Sequence, residues 1–336
     1  MKEFVQKIAE GQNLSRDEAS SAMRTIMEGN ATEAQIAAFL IGLKLKEEHP
    51  DELLGFVEVM REKSVKVRVD DPAAIDMCGT GGDGTGTFNI STVASFVVAG
   101  AGATVAKHGN RSISSVCGSA DVLKALGVNL DLSPEMVEAC INAEGIGFLF
   151  APLFHPAMKH AAKPRSELGI KTCFNMLGPM TNPAGVRRQL VGAFNQKAAA
   201  SMSAVFERLG VDKVYVVCAE DGMDEISLSA RTTVHEVDRE KPSRAYELDP
   251  ASFSLSAVER SSILGGTAEM NATITMHVLE GVKSPHRDIV LANATFGLLA
   301  AGKARSIAEG VRLAAESIDS GRALDKLKRL REFTNR

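Results

Sequence analysis

CGTGGDGTGTFNIST, residues 78–92, places Gly79, Gly81, Gly82, Gly84 and Gly86 between a short apolar run and a helical pattern that begins near Ile90. The letters GTGGDG satisfy the GxGxxG fingerprint of dinucleotide-binding folds, but that use also needs an acidic residue about 20 positions further on to hold a ribose hydroxyl. From Gly84 to Ala120 there is no Asp or Glu. A P-loop would need a Lys-Ser/Thr pair after the glycines, and none follows. On its own the stretch reads as readily as a structural turn as it does as a ligand loop. Its place ahead of a helix sets its amides at a helix N-terminus, where backbone donors and the dipole favour anions.

Around this loop the chain alternates short apolar runs with helical patterns: AIDM, TVASFVVAGAG, ATVAKHG, ADVLKALG, EMVEACINAEG and IGFLFA, resuming with RQLVGAF and KVYVVCA. Such alternation is the mark of a parallel sheet with crossover helices. The first sixty-odd residues differ. SRDE at Ser15 and TEAQ at Thr32 are capping boxes opening amphipathic runs, and a third run follows HPDELL, so a small four-helix unit is expected. The fold class is therefore α/β: a small N-terminal all-α domain over 1–66, and a large domain over 67–162 and 185–336 with a mainly parallel sheet flanked by helices. A segment near 163–184, with helix patterns broken by Pro164, Pro179 and Pro183, crosses back to the helical unit. The tail from Asp288 reads as two helices. The stripe in AQIAAFLIGLKL suits either an intramolecular core or a dimer face.

Composition narrows the partners. With 45% hydrophobic residues, 24% charged residues and a net charge of −4, the 336-residue chain is a folded protein without the basic footprint of a nucleic-acid binder. Cys78, Cys117, Cys140, Cys173 and Cys218 form no CxxC pair, which suits a reducing compartment. No segment reaches the roughly 20 apolar residues of a membrane span. A cytoplasmic protein is expected.

Three features carry chemistry. The acid-free stretch holds Lys107, His108 and Arg111 beside Thr85, Thr87, Ser91, Thr92, Ser112, Ser114, Ser115 and Ser119, a donor set for a polyanion on a protein that is not basic overall. AKHGNRSISS follows an apolar run ending at Ala106, which puts Lys107 and His108 at the carboxyl end of a strand, where open α/β sheets bind ligands. In CAEDGMDEIS, Asp224 and Glu225 follow the strand pattern KVYVV; alone they read as a solvated turn, but beside a phosphate pocket they suit magnesium, with Ser91 adding a hydroxyl. Arg165, in AAKPRSELG, is either a surface cation or a fork for a carboxylate. His155 and His160 lack zinc spacing and read as structural.

CGTGGDGTGTFNIST, KHGNRSISSVCGSADVLKALG, FAPLFHPAMKHAAKPRSELGIKTCFNMLGPMTNPAG and EDGMDEIS resemble the successive signature blocks of the anthranilate phosphoribosyltransferases, across essentially the whole chain. The resemblance implies transfer of the 5-phosphoribosyl group from phosphoribosyl pyrophosphate to the amine of anthranilate, the second step of tryptophan biosynthesis from chorismate, with two magnesium ions per site in a homodimer. It assigns phosphoribosyl pyrophosphate to Gly79, Gly82, Asp83, Thr87, Asn89, Ile90, Ser91 and Thr92, and to Lys107, His108, Gly109, Asn110, Arg111, Ser112, Ile113, Ser114, Ser115 and Ser119. Anthranilate falls to Gly79, Asn110 and Arg165, and metal to Ser91, Asp224 and Glu225. No residue is marked as a required proton-transfer catalyst, His108 being the nearest candidate. Val116, Cys117, Cys218 and Ala219 depart from the family pattern at the substrate edge. The rival readings are a pyrimidine nucleoside phosphorylase of the same architecture, which has no need of the acidic loop, and a non-catalytic nucleic-acid-binding relative, which the net charge disfavours.

Overall fold

The computed structural model describes residues 1–111 and 116–336. Four helices come first: α1 (Lys2–Ala9), α2 (Arg16–Met27), α3 (Glu33–Lys46) and α4 (Pro50–Lys63). Ser15 and Thr32 close the two capping boxes, and His49 caps α4 ahead of Pro50. Fully buried Glu52 binds this unit together, accepting from the amides of Leu14 and His49 (both 2.8 Å) and from Lys46 Nζ (2.6 Å). On α3, Ile36, Phe39, Leu40 and Leu43 all point into the intramolecular core.

Beyond the helical unit come β1 (Ile75–Gly79), α5 (Ile90–Gly100), β2 (Val105–Gly109), α6 (Ser119–Ala125), α7 (Pro134–Glu144) and β3 (Ile146–Phe150). They are followed by α8 (Ala151–Phe154), α9 (Lys159–Leu168), α10 (Cys173–Met180), β4 (Arg188–Gly192), α11 (Gln196–Arg208) and β5 (Lys213–Ala219). The seven-stranded sheet runs β3-β2-β1-β4-β5-β6-β7, where β6 (Thr232–Asp238) and β7 (Lys241–Leu248) add antiparallel to the parallel strands β1 to β5. Helices α12 (Ala268–Leu279), α13 (Pro285–Ala300), α14 (Ile307–Asp319) and α15 (Arg322–Thr334) complete the chain. One core joins α5 and α12 to α15 to one face of the sheet; a second joins α1 to α4, α9 and α10 to the opposite face of β4 and β5 beside α11.

Two expectations are corrected. The tail from Asp288 forms three helices, because α15 buries Leu327, Leu330 and Phe333 although it is polar overall. Pro164 and Pro179 lie inside α9 and α10 rather than breaking them. Proline removes one helical hydrogen bond, and here both rings are buried, which offsets part of that loss. Lys107 and His108 fall, as expected, in the carboxyl-terminal part of β2, where both are buried. Among the described residues all five cysteines are free thiols, and no helix is long and apolar enough to cross a membrane.

Candidate active site

The carboxyl ends of β1 and β4 lie beside one another, with Gly79 registered against Gly192. Neither position has room for a side chain. A Cβ on Gly192 would stand 1.5 Å from the Asp224 carbonyl oxygen, and one on Gly79 would stand 2.4 Å from Asp224 Oδ2. The two glycines therefore let the acidic loop after β5 settle onto the strand ends. Asp224 Oδ2 accepts from the Gly81 amide at 2.7 Å, and Glu225 Oε1 accepts from the Ser91 amide, in the first turn of α5, at 3.1 Å. Asp83 lies alongside. It takes the Thr85 amide and hydroxyl at 3.1 and 2.5 Å and the Asp224 amide at 3.4 Å. The amide cradle anticipated for an anion thus holds the protein's own carboxylates.

Burial and mutual repulsion raise these acids. Asp224 is pushed up to about 7 by burial and then by Asp83, and Glu225 up to about 8 by burial and then by Asp224. Among the described residues no group of three or more His, Cys, Asp or Glu side chains is arranged to hold a metal. The donor set nonetheless fits magnesium: two crowded carboxylates and the Ser91 hydroxyl are hard oxygen ligands, whose repulsion a divalent cation would relieve.

Lys107 projects between β1 and β2. Its Nζ donates to the Met77 carbonyl and reaches Ser91 Oγ at 3.3 Å, and burial lowers its pKa. The next residue, His108, packs against His155 with ring centroids 5.1 Å apart and the rings tilted by 53°. Burial pushes His108 down to about 3 and His155 to about 4, so both are neutral near pH 7, and neither Nε2 has a partner among the described residues. Gly109 has no space for a Cβ, which would meet Ser119 Oγ at 2.4 Å, and Ser119 Oγ donates to the Asn110 carbonyl at 3.3 Å. Asn89 ahead of α5 donates to the Cys117 carbonyl at 3.1 Å and accepts from Asn271 Nδ2 at 2.9 Å.

Gly79, Gly81, Asp83, Ser91, Lys107, Asp224 and Glu225 are therefore one connected cluster. Thr92 is buried in α5 beside it. Gly82, Thr87 and Ile90 belong to the same loop and helix start, while Asn110 and Arg111 are exposed beyond β2, with Arg111 5.7 Å from the Phe150 ring. Ser112, Ile113, Ser114 and Ser115 lie outside the described residues. Arg165 sits on α9 with its guanidinium 4.9 Å from the Phe174 ring, half-buried, with no carboxylate partner and no bond to the glycine loop among the described residues. Of the departures from pattern, Val116 is 79% exposed, while Cys117, Cys218 and Ala219 are buried.

Sequence reasoning passed over Gly192, Asp76 and Asn182, and read His155 as structural without placing it beside His108. Asp76 did leave a signal, as an acid inside the apolar run AIDM, and Asn182 stands just before Pro183. Both are buried.

Residues 71–324 match the family model described as the a/b domain of a glycosyl transferase family, and residues 2–64 match its helical bundle domain. The fold is that of a two-domain glycosyl transferase. A protein of Pelotomaculum thermopropionicum named anthranilate phosphoribosyltransferase is 52% identical over 334 residues, spanning 99% of this chain and 96% of its own. The crystal structure of anthranilate phosphoribosyltransferase from Thermus thermophilus superposes with a TM-score of 0.93 at 42% identity, covering 99% of both chains. The Saccharomyces cerevisiae enzyme in complex with phosphoribosyl pyrophosphate and magnesium superposes at 0.90 with 27% identity, covering 99% of this chain and 97% of its own. The chain belongs to the anthranilate phosphoribosyltransferase family.

Proposed function

We propose that the protein transfers the 5-phosphoribosyl group of phosphoribosyl pyrophosphate to the amine of anthranilate, releasing pyrophosphate, as the second step of tryptophan biosynthesis. The observation that carries this reading is the junction of glycine loop, α5 start and acidic loop at the carboxyl ends of β1 and β4, with Lys107 beside it. In an open α/β sheet this is where a ligand is expected.

In this reading Gly79, Gly82, Asp83, Thr87 and residues 89–92, with 107–115 and Ser119, receive phosphoribosyl pyrophosphate. Ser91, Asp224 and Glu225 hold magnesium, two ions per site. The metal neutralises charge on the departing pyrophosphate. Anthranilate's amine is neutral and nucleophilic at pH 7, so the chain's task is to position it and to stabilise the leaving group rather than to supply a strong base. Lys107 adds a fixed positive charge where negative charge develops. His108, neutral and buried, is not needed as a proton carrier. Asn110 and the unpaired fork of Arg165 receive anthranilate, the guanidinium gripping the carboxylate.

Residues 1–66 with the 163–184 segment act as the smaller domain against 67–162 and 185–336, and the working form is a cytoplasmic homodimer. Loss of anthranilate fluorescence tests the reaction. Consumption is expected only when phosphoribosyl pyrophosphate and magnesium are both present, and an unchanged signal with both would refute it. Sedimentation of the purified chain reads the dimer.

A further inference from the structure

The ladder between β1 and β2 registers a single pair, Ile75 with Val105, where β1–β4, β2–β3 and β4–β5 each register five. It begins normally, with the Ile75 amide donating to the Thr104 carbonyl at 2.9 Å. A parallel ladder continued from there would join Met77 N–H to the Ala106 carbonyl and His108 N–H to the Met77 carbonyl. Side chains hold those groups instead. The Ala106 carbonyl accepts from Asn182 Nδ2 at 2.8 Å, the His108 amide donates to Asp76 Oδ1 at 3.1 Å, and the Met77 carbonyl accepts from Lys107 Nζ.

The replacements are linked to one another. Asn182 Nδ2 also donates to Asp76 Oδ2 at 2.8 Å, and Asn182 Oδ1 is held by the Ala184 amide at 2.8 Å, which fixes the orientation of the amide. Asp76 is 0% exposed, Asn182 4% and Lys107 4%. Buried backbone groups must find partners, and one buried carboxylate held by two donors is a rigid way to supply them.

We propose that Asp76 and Asn182 are positioning residues: a buried carboxylate–amide wedge holds the ends of β1 and β2 apart, setting the separation between the glycine loop and Lys107–Asn110 and placing the Lys107 ammonium in the gap. The inference rests on the functional reading above only in taking those two strand ends as the walls of the phosphoribosyl pyrophosphate site. Asp76→Asn tests it while conserving volume. An amide offers one acceptor side, so either the His108 amide or Asn182 Nδ2 faces a second donor.

The full-length chain is titrated with phosphoribosyl pyrophosphate in magnesium, well below the melting temperature of each variant, and hydrogen–deuterium exchange is read at single residues over 105–110. Asp76→Asn weakens binding at least tenfold and speeds exchange at His108 at least tenfold. Asn182→Ala moves both in the same direction, by threefold or more. Ser317→Ala, which removes a buried 2.7 Å bond to the Val97 carbonyl far from this seam, leaves affinity within twofold and so controls for plain loss of stability. A folded Asp76→Asn with wild-type affinity overturns the wedge, as does a wild-type His108 amide exchanging at the rate of an exposed one. If neither variant folds, the wild-type exchange pattern decides. Wild-type protein that fails to bind phosphoribosyl pyrophosphate counts against the functional reading, and exchange at His108 then judges the wedge separately.

Discussion

The two flanks of β1 are built in opposite ways. Toward β4 the ladder runs its full length and ends in two facing glycines, whose bare backbones admit Asp224. Toward β2 the ladder stops after one pair, and Asp76, Asn182 and Lys107 take up the freed backbone groups. One flank makes room by lacking side chains and brings in negative charge; the other is opened by side chains and brings in positive charge. Ser91, at the start of α5, links the two flanks, its amide donating to Glu225 and its hydroxyl lying 3.3 Å from Lys107 Nζ.

The harshest way to break the closed flank is Gly192→Ala. Its methyl would lie 1.5 Å from a backbone oxygen, so the acidic loop must move. A loss of at least a hundredfold in kcat/KM is expected, with destabilisation of about 2–3 kcal/mol in urea unfolding. Wild-type kinetics would mean that the loop does not need its seat. Asp224→Asn combined with Glu225→Gln leaves the seat and removes the charge, and the magnesium concentration for half-maximal rate should rise about tenfold; an unchanged titration assigns the metal elsewhere.

Away from the strands, Arg165→Ala tests the proposed grip on the anthranilate carboxylate: losing a charge-assisted bond of roughly 1.5–3 kcal/mol should raise the anthranilate KM about tenfold to a hundredfold. The KM for phosphoribosyl pyrophosphate should change less than threefold, and equal rises in both would displace Arg165 from this role.

The mildest effect concerns the open flank. Burial holds His108 and His155, which face each other and Lys107 and Lys66 respectively, well below the usual value of about 6.5. Their folded values are depressed, so between about 6.5 and 4 the unfolded chain binds protons that the folded chain does not. Stability from this pair is therefore whole above about pH 6.5 and declines as the pH falls toward 4. His155→Gln should flatten that decline in unfolding free energy, and parallel pH curves for variant and wild type would show that the imidazole is not the group responsible.

Much of this arrangement was legible from local pattern. The capping boxes at Ser15 and Thr32 begin α2 and α3, and α5 starts at Ile90 as the text after the glycines indicates. Asp224 and Glu225 fall in a loop just after the strand that KVYVV announces. What escaped reading depended on distant neighbours. The β6–β7 hairpin carries an exposed, polar β7 that becomes a strand by pairing with β6, and Pro164 stays inside α9, where it is buried. Lys107 read as a donor for a polyanion, but its bonds to the Met77 carbonyl and Ser91 Oγ depend on β1 and α5 and could not be read locally.

By itself the sequence determined the two-part architecture, the glycine loop before α5, and the chemical types gathered for a phosphate-rich substrate, because periodicity, caps and residue chemistry act over a few positions. Only the tertiary structure decided that Gly192 seats Asp224, that His155 meets His108, and that Asp76 and Asn182 part β1 from β2. Each of those depends on backbone groups brought together from remote parts of the chain, where the need to fill or to partner a buried site exists only once the sheet has formed.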